Sequence, residues 1–531
     1  MHPKNGPLGG LFVYLPMAMT ARAATALLIL LLLALLPPLA SPFFNLPLLH
    51  AYLHDQHRLL LQWPLALACL WLLLVGRVRS PLFAAAGPWV APWGVLLLAA
   101  IGLASSLWAA HPYLALIEFA QLFGVFLLAV FLGQVLRAQA GHGAHLLHFA
   151  PLLAAAFCVA VAAGLVAALL QGYAINPWLL LPGFDNLRFF GQFAAVLLPL
   201  IAASFLMLQS QRRRYRQLVF ALLVLWWCVL LMTESRAALL GAGTALLLCA
   251  LLRPLRRRWL PTLGFSFVLG LLLYLGLFVL LPWLGWVEGA SHWGGRIAQT
   301  LVSDNPLSGR QVLWAQAWGH ALQHPWLGLG PMHFAHGDNP IAAHPHSLPL
   351  QLLAEWGVVF TLVLGLLLGI FAWRALGRLY AQPAHHPNGP SGPNGPNDPN
   401  AAAPTVAAGA LLALASAAAV SLFDGNFVMP YSLLITALAL GFYFSVHPLG
   451  SGADVGAWPQ RLVARLQARL GPAALARCGG VARAATVALL ALVGVVAAVG
   501  VPLDFALRLP LSELVGGPYL PRLWLQGLFG H

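Results

Sequence analysis

The chain has 531 residues, of which 61% are hydrophobic and only 8% are charged, and its mean hydropathy is +0.84. Soluble globular proteins carry about 25% charged residues, so this composition excludes an ordinary soluble fold. The net charge of +14 does not indicate a nucleic-acid partner, because the basic residues cluster in short segments between apolar runs. The composition predicts an all-α integral membrane protein. Its helices are expected to form a polytopic bundle that contacts membrane lipid.

Roughly thirteen apolar segments are long enough to cross a bilayer as helices. The first of them, ATALLILLLLALLPPLA, is expected to stay in the protein as a helix and not to be cleaved as a signal peptide. In chain order, the predicted spans cover 22–40, 59–76, 89–108, 113–136, 146–170, 189–209, 218–232, 237–252, 262–282, 346–371, 405–422, 431–446 and 484–503.

These spans divide the chain into five parts. The parts are transmembrane helices 1–9 in 1–282, an external loop with an interfacial helix in 283–345, transmembrane helices 10–12 in 346–446 with a Pro/Asn/Gly-rich cytoplasmic linker at 382–400, a basic cytoplasmic segment in 447–483, and the last helix with a short external tail in 484–531.

Basic residues predict the orientation of the bundle. With the N-terminus in the cytoplasm, the clusters QRRRYR (211–216) and RPLRRR (253–258) also face the cytoplasm, as the positive-inside rule requires. Only Asp398 and Asp454 of the 13 acidic residues fall on that side. Of the 27 lysines and arginines, those left outside are Arg58, Arg188, Arg236, Arg296, Arg310, Arg508 and Arg522.

The longest external loop contains the segment SGRQVLWAQAWGHALQHPWLGLG. A capping box formed by Ser308 and Gln311 predicts a helix start, and Pro325 predicts its end. Trp314 and Trp318 are typical of a helix that lies at the membrane interface, where indole rings are enriched. A structured loop of this kind on a polytopic protein is expected to cover a site.

Three of the external arginines stand at predicted span or helix starts: Arg188 in GFDNLRFFGQF, Arg236 in MTESRAALLGA, and Arg310 at the start of the interfacial helix. A guanidinium can grip phosphate oxygens through two parallel hydrogen bonds. The alternative for each arginine is that it pairs with a neighbouring acidic side chain or reaches a lipid headgroup. The presence of three arginines on one face of the bundle, beside a histidine, favours an anion-binding site.

A histidine stands at the entry of the tenth span, in AAHPHSLPLQLLAEWGVVF (342–360). We expect His346 at the start of this helix, with Pro345 or Pro349 in the first turn. The positive end of a helix disfavours protonation of a nearby imidazole, so a neutral His346 could accept a proton from a hydroxyl. His344, two residues earlier, is expected to be a bystander.

Below this histidine, Ser347, Gln351 and Glu355 share one helical stripe, and His346 shares the next stripe with Gly357. Glu355 is predicted to lie about 13 Å deeper than His346, at 1.5 Å per residue. Its expected role is a hydrogen-bonded structural one.

A metal centre is not expected. Six histidines lie between positions 320 and 346, but no cysteine joins them and the nearby acids lack the spacing of metal ligands. The external loops also lack an Asp-x-Asp pair, which argues against a metal-dependent glycosyltransferase. We therefore predict no metal and no other cofactor.

Four motifs together resemble one family. His346 and Ser347, followed by nine residues and Gly357, resemble the signature of bacterial O-antigen ligases. The segment from 308 to 334 resembles the part that precedes this signature in the wider ligase and polymerase superfamily. TESRAALLGAG and RFFGQF resemble arginine-bearing positions of that superfamily. The resemblance covers roughly residues 180–365.

The resemblance implies transfer of a glycan from undecaprenyl pyrophosphate to an acceptor hydroxyl, at the periplasmic face of the bacterial inner membrane. It assigns His346 to orient or deprotonate the acceptor hydroxyl. It assigns Arg188, Arg236 and Arg310 to the pyrophosphate. The residues expected to bind substrate or support the site are Gln192, Ser347, Gln351 and Glu355.

The acceptor stays open at this stage. Lipid A core would make the protein an O-antigen ligase, which the histidine signature favours. Another repeat unit would make it a polymerase, and a protein hydroxyl would make it an O-oligosaccharyltransferase. A flippase or transporter of lipid-linked glycans is the alternative from another class, which would call for internal repeats or broken helices with charges at mid-membrane. The sequence shows no clear repeat, and the suspected site charges gather at one face.

Overall fold

A computed structural model of the protein describes residues 53–79, 90–138, 143–171, 180–181, 183–208, 213–285, 309–336, 342–381, 402–448 and 480–512. Some predictions concern residues outside these ranges. They are the first span at 22–40, the linker at 382–400, most of the basic segment 447–483, the end of the external tail, and residues 286–308 of the external loop.

The described residues form helices joined by turns and short loops. The helices are α1 (Leu53–Arg79), α2 (Val90–Trp108), α3 (Pro112–Ala138), α4 (Phe149–Leu170), α5 (Leu187–Met207), α6 (Arg213–Met232), α7 (Arg236–Leu251), α8 (Trp259–Leu275), α9 (Arg310–Gln323), α10 (Leu348–Ala381), α11 (Ala403–Phe423), α12 (Pro430–Val446) and α13 (Val501–Ser512). Short 3₁₀ helices cover Gly143–His148 and His333–His336, and π-helical turns cover Gly276–Leu280 and Val496–Gly500.

Within the described ranges, nine helices are long and apolar enough to cross a membrane, the last of them being Gly480–Leu507. Three shorter apolar helices accompany them, at Trp93–Trp108, Arg236–Leu251 and Pro430–Val446. The predicted fold class, an all-α polytopic membrane protein, is confirmed.

The centre of the bundle is α5, whose apolar window is 89% buried, whereas that of α10 is 17% buried and leaves most of its surface for lipid. Small residues let α11 approach its neighbours closely, as is common between membrane helices. A Cβ at Gly409 would lie 2.5 Å from the Cβ of Ala203 on α5, and one at Gly241 of α7 would lie 2.6 Å from Val420 of α11. Helix α11 therefore packs against both α5 and α7.

This packing gathers several helix ends at one end of the bundle. Helices α5, α7 and α10 begin there, α11 ends there, and α9 lies against α10. The loops 233–235 and 424–429, which precede α7 and α12, also lie at this end. The side chains singled out in the sequence analysis are carried by these helix ends.

Candidate active site

The site is built around a hydrogen-bonded histidine and aspartate. Nδ1 of His346 lies 2.9 Å from Oδ1 of Asp424, the residue that follows α11. The same carboxylate oxygen accepts the backbone N–H of Gly425 at 2.9 Å. Asp424 is buried, with 4% of its side chain exposed, while 20% of the His346 side chain is exposed. The histidine is thus held from inside the protein and open on its other side.

The charge state of Asp424 sets the position of the ring proton. Burial alone would raise the pKa of this carboxyl, but the hydrogen bond and charge of His346, the charge of Arg310 and the Gly425 N–H together lower it well below its usual value. An ionised carboxylate only accepts hydrogen bonds. Nδ1 of a neutral His346 must therefore carry the proton, and Nε2 keeps the lone pair that can act as a base.

The backbone of His346 is also fixed. Its φ of 51° lies in the left-handed region, and its N–H donates to Nδ1 of His344 at 3.3 Å. The two rings lie 4.1 Å apart, and a Cβ at Gly425 would come within 2.3 Å of His344. His344 therefore contacts the candidate base directly and does not have the bystander position expected from the sequence.

Helix α10 begins two residues after His346, so the predicted helical stripe through His346 is wrong. The carbonyl of Ser347 accepts the N–H of Gln351 at 2.9 Å, and Pro349 occupies the first turn, where no N–H is needed. Pro345 lies outside the helix, and its carbonyl accepts the indole N–H of Trp314 at 3.0 Å. The interfacial helix α9 is thus fastened next to the histidine.

Glu355 is fully buried one turn after Gln351. Its Oε1 accepts the backbone N–H of Phe334 at 3.0 Å, and its Oε2 accepts the side-chain amide of Gln351 at 3.3 Å. Phe334 belongs to the loop that connects α9 to α10 and packs in one apolar cluster with Leu313 of α9. The Glu355 carboxylate therefore holds this loop against α10. These hydrogen bonds are what a structural role would require.

The predicted span 346–371 is interrupted at the glycine of the signature. Gly357 has φ 79° and ψ 171°, so α10 is kinked there. The N–H of Val358 donates to the carbonyl of Pro325 at 2.8 Å, outside the helix. A Cβ at Gly357 would lie 2.3 Å from the carbonyl oxygen of Trp326. Only glycine combines this backbone conformation with this close approach, so the signature glycine seats the α9–α10 loop on the membrane helix.

The three candidate arginines all stand in the first turn of a helix: Arg188 in α5, Arg236 in α7 and Arg310 in α9. A cation at the positive end of a helix costs about 0.3–1 kcal/mol. Repeating this unfavourable placement three times at one end of the bundle indicates a site for an anion, which both the arginines and the helix N-termini would bind.

The electrostatics of Arg310 link these charges to the histidine pair. Burial lowers the pKa of Arg310, the charge of Asp424 raises it, and the charges of Arg188 and Arg236 lower it. Arg310 therefore lies within electrostatic reach of each of the other three charges. Arg310 is half-buried, as is Arg236, and Arg188 is exposed.

Local capping fixes the helices that carry two of these arginines. The Asn186 side chain accepts the N–H of Arg188 at 2.9 Å, and Ser235 caps α7 through the N–H of Ala238 at 3.4 Å. The predicted capping box of the interfacial helix involves Ser308, which lies outside the described residues. The described part of the helix, α9, is preceded by Gly309 with φ 78° and has no side-chain cap there. This helix ends at Gln323, ahead of Pro325, as predicted.

Backbone strain concentrates in the loops around the site. Among the described residues, the non-glycine residues with positive φ are Glu234, Met332 and His346. Glu234 lies two residues before Arg236, and Met332 lies in the loop that Glu355 fastens. Such conformations cost about 1–3 kcal/mol each and cluster at functional sites.

Gln192 lies one turn after Arg188 on α5 and is fully buried. Neither its amide oxygen nor its amide nitrogen has a hydrogen-bond partner within the part of the chain that the structure describes. A buried amide left in this state costs about 1–3 kcal/mol. It stays a candidate for contact with a bound group below Arg188.

His333 of the external loop has structural partners on both ring nitrogens. Nδ1 of His333 donates to the carbonyl of Pro331 at 2.8 Å, and its Nε2 accepts the N–H of His111 at 2.9 Å. No group of three or more His, Cys, Asp or Glu side chains in the described ranges has an arrangement that could hold a metal ion.

The structure thus brings the predicted His346 together with the predicted arginines, and adds Asp424, which sequence reasoning missed. Ser347 adjoins the histidine, and Gln351 and Glu355 lie beneath the covering loop. The signal for Asp424 was present: FDGNF is a short polar turn between two apolar spans, on the same predicted face as His346.

A comparison with protein-family models matches residues 220–368 to the family described as O-antigen ligase. Residues 220–368 are thus similar to this family. The resemblance inferred from the sequence is confirmed, and the match supports a glycosyltransferase-like enzyme of the ligase or polymerase type. No curated protein gives a significant match to the chain.

The matched residues contain Arg236, Arg310 and His346. Arg188 and Asp424 lie outside the match. The matched residues therefore meet two further parts of the chain, the start of α5 and the end of α11, to assemble the full set of charges.

Proposed function

We propose that the protein transfers a glycan from undecaprenyl pyrophosphate to an acceptor hydroxyl at the periplasmic face of the bacterial inner membrane. The observation that carries this proposal is the His346–Asp424 pair within electrostatic reach of Arg310, which in turn lies within reach of Arg188 and Arg236. A base and a cluster of fixed cations are what displacement of a pyrophosphate by a hydroxyl requires.

The arginines would bind the donor. The pyrophosphate carries its negative charge next to the bond that breaks. Each guanidinium group can bind two phosphate oxygens through two parallel hydrogen bonds. The three helix N-termini beneath the arginines add partial positive charge. The polyprenyl chain would extend into the lipid along the bundle.

His346 would act on the acceptor. As the hydroxyl oxygen bonds to the anomeric carbon, its proton passes to Nε2 of His346. The bond between the anomeric carbon and the pyrophosphate oxygen breaks, and its electron pair leaves with undecaprenyl pyrophosphate. Asp424 stabilises the imidazolium formed, and a positioned base of this kind typically contributes 10²–10⁴-fold in rate.

The leaving group gains negative charge as the bond breaks, and the arginines stand where that charge develops. Fixed donors aimed at developing charge are usually the largest contribution to catalysis. The same charges would otherwise be supplied by a divalent metal, so we propose a metal-independent and cofactor-free transferase.

Lipid A core is the acceptor that we favour, which would make the protein an O-antigen ligase acting in lipopolysaccharide biosynthesis. A growing polysaccharide or a protein hydroxyl are the alternative acceptors. The periplasmic face is supported by the distribution of basic residues, since the clusters at 211–216 and 253–258 precede α6 and α8, at the end of the bundle opposite the site.

The test is transfer by the purified protein in proteoliposomes. Lipid-linked glycan is supplied as donor, and lipid A core, lipid-linked repeat units or a peptide as acceptor in separate reactions. We expect glycan on lipid A core. Transfer only onto repeat units would identify a polymerase, and movement of the donor across the vesicle without any transfer would contradict a transferase and identify a flippase.

A further inference from the structure

A buried arginine contacts the loop that carries Asp424. The predicted second span starts at 59 and leaves Arg58 outside it, but α1 begins at Leu53 and includes Arg58, which is only 2% exposed. Its guanidinium donates to the carbonyl of Val428 and, at 3.4 Å, to the side-chain oxygen of Gln121 on α3. An ionisable side chain buried in a membrane helix is costly, and such residues usually mark functional sites. Because Arg58 is too deeply buried to contact a substrate, a role in transfer would have to act through its neighbours.

Two buried glutamines hold the Arg58 side chain in place. The side-chain amide of Gln121, which accepts from Arg58, donates to Gln62 at 2.7 Å. The side-chain amide of Gln62 donates to the backbone carbonyl of Arg58, also at 2.7 Å. These hydrogen bonds form a closed ring between α1 and α3, so the guanidinium is presented to Val428 in one position.

The Val428 carbonyl belongs to the turn that holds Asp424. The N–H of Val428 donates to the carbonyl of Gly425 at 2.9 Å, and the N–H of Gly425 donates to Oδ1 of Asp424 at 2.9 Å. The same carboxylate oxygen lies 2.9 Å from Nδ1 of His346. A chain of hydrogen bonds therefore leads from Arg58 to the candidate base.

Helices α11 and α12 hold the two ends of this loop, which covers 424–429. The N–H of Asp424 donates to the carbonyl of Val420, and the carbonyl of Met429 accepts the N–H of Leu433. The Arg58 contact comes from outside both helices and ties the loop to α1 and α3. Loss of this contact would let the loop shift while its ends stay in place.

The electrostatics indicate that Arg58 acts through the backbone of the loop. The charges that lower the pKa of Asp424 are those of His346 and Arg310. The Arg58 guanidinium faces the carbonyl of Val428, four residues after Asp424. The effect of Arg58 on the carboxylate is therefore one of position.

A small shift is enough to break the catalytic pair. The 2.9 Å bond between Nδ1 of His346 and the Asp424 carboxylate is no longer a hydrogen bond once it is about 1 Å longer. A displacement of about 1 Å at a reacting group can slow a reaction about 10²-fold. His346 would then lose the partner that fixes its ring proton on Nδ1.

We propose that Arg58 is a positioning residue for the His346–Asp424 pair: it fixes the loop 424–429 so that the carboxylate meets the imidazole. This inference rests on the proposed transfer reaction, with His346 as the base. It extends the machinery of transfer to α1 and α3, which lie outside the residues matched to the O-antigen ligase family.

Three single variants test this role. Arg58→Met keeps an unbranched side chain but removes the donors, and Arg58→Lys keeps the charge but not the planar fork that serves two acceptors. Arg137→Met is the matched control. Arg137 lies at the end of α3 and donates to the carbonyls of Phe444 and Ser445, at the other end of α12 from the loop. It is more exposed than Arg58 but makes the same kind of contact.

Single-turnover transfer and donor affinity are measured for each purified variant in proteoliposomes. Transfer by Arg58→Met should be roughly 100-fold slower. Arg58→Lys should restore part of the rate, and Arg137→Met should stay near the wild type. Donor affinity should change less than about threefold, because Asp424 faces the base and not the pyrophosphate. Wild-type transfer by Arg58→Met, or an equal loss in Arg137→Met, would overturn the proposal.

A double variant separates positioning from general structural damage. Asp424→Ala removes the carboxylate that Arg58 positions. If Arg58 acts through Asp424, the combination of Arg58→Met with Asp424→Ala should transfer as slowly as Asp424→Ala alone, within about threefold. Losses that multiply in the double variant would show that Arg58 acts elsewhere, and would overturn the role.

Hydrogen–deuterium exchange tests the positioning without any transfer. The backbone amides of 424–429 should exchange faster in Arg58→Met and at the wild-type rate in Arg137→Met, and unchanged exchange in Arg58→Met would contradict the proposal. If Arg58→Met does not fold, Gln121→Met loosens the same guanidinium, and it should show faster exchange in the loop and a smaller loss of transfer. Wild-type exchange and transfer in Gln121→Met would then overturn the role. A wild-type protein that transfers no glycan contradicts the proposed function, whereas the exchange measurement still decides whether Arg58 holds the loop.

Discussion

Replacing Asp424 by asparagine should separate the charge of the candidate pair from its geometry. The Gly425 N–H and the His346 Nδ1–H both point at one carboxylate oxygen, Oδ1, each at 2.9 Å. The amide oxygen of asparagine can take that place and keep both hydrogen bonds. Asp424→Asn therefore leaves the histidine proton on Nδ1 and removes the negative charge that faces the ring.

The cost follows from the charge that forms on His346 during transfer. A cation about 4 Å from a carboxylate gains about 4 kcal/mol at an effective dielectric constant near 20, and hydrogen bonds to charged groups contribute about 1.5–3 kcal/mol. A loss of about 3 kcal/mol, at about 1.4 kcal/mol per factor of ten, predicts transfer about 100-fold slower. Donor binding should change less than twofold, roughly, because Asp424 faces the base and not the pyrophosphate.

Single-turnover transfer and donor affinity of the purified variant measure these two effects. Asp504→Asn is the control, since Asp504 is also buried, 5% exposed, and lies on α13, which carries none of the residues assigned to the site. Transfer by Asp424→Asn at more than a third of the wild-type rate, or the same loss in Asp504→Asn, would refute the reasoning.

Three further predictions follow from the charges and the topology. Arg236→Ala should weaken both donor binding and transfer, and Arg236→Lys should restore them only in part, because lysine keeps the charge but loses the two-point contact; full activity of the lysine variant would contradict this role. Transfer should survive exhaustive chelation with EDTA, whereas loss of activity that one divalent ion restores would show a metal requirement. Cysteine at position 300 should react with an impermeant reagent from the periplasmic side and cysteine at position 215 should not, and labelling of 215 would overturn the orientation.

Much of the fold could be predicted because a bilayer constrains it. Each spanning segment needs a long apolar run and must satisfy its own backbone. The hydropathy pattern could not predict the position at which a helix is interrupted within a long apolar segment. Gly357 interrupts α10 because the loop at Trp326 approaches too closely for any side chain, and this contact between distant parts of the chain leaves no periodic signal.

The candidate site was predictable in its parts and not in its assembly. His346 and the arginines stand out as polar residues at span ends, but pairing of His346 with Asp424 joins residues 78 positions apart. The fold of α10 against α11 decides this pairing, and an acid in a short loop does not reveal its partner. The same holds for His344, whose packing on His346 depends on Gly425 of the neighbouring loop.

The most direct test of the account is single-turnover transfer by His346→Ala in reconstituted membranes, with undecaprenyl-pyrophosphate-linked glycan bound in advance. The acceptor is lipid A core, and the donor affinity is measured in parallel. Transfer should fall by about 10²–10⁴-fold while donor affinity stays near that of the wild type, because the base contacts the acceptor proton alone. Transfer at the wild-type rate, or loss of donor binding equal to the loss of transfer, would contradict a base at this position.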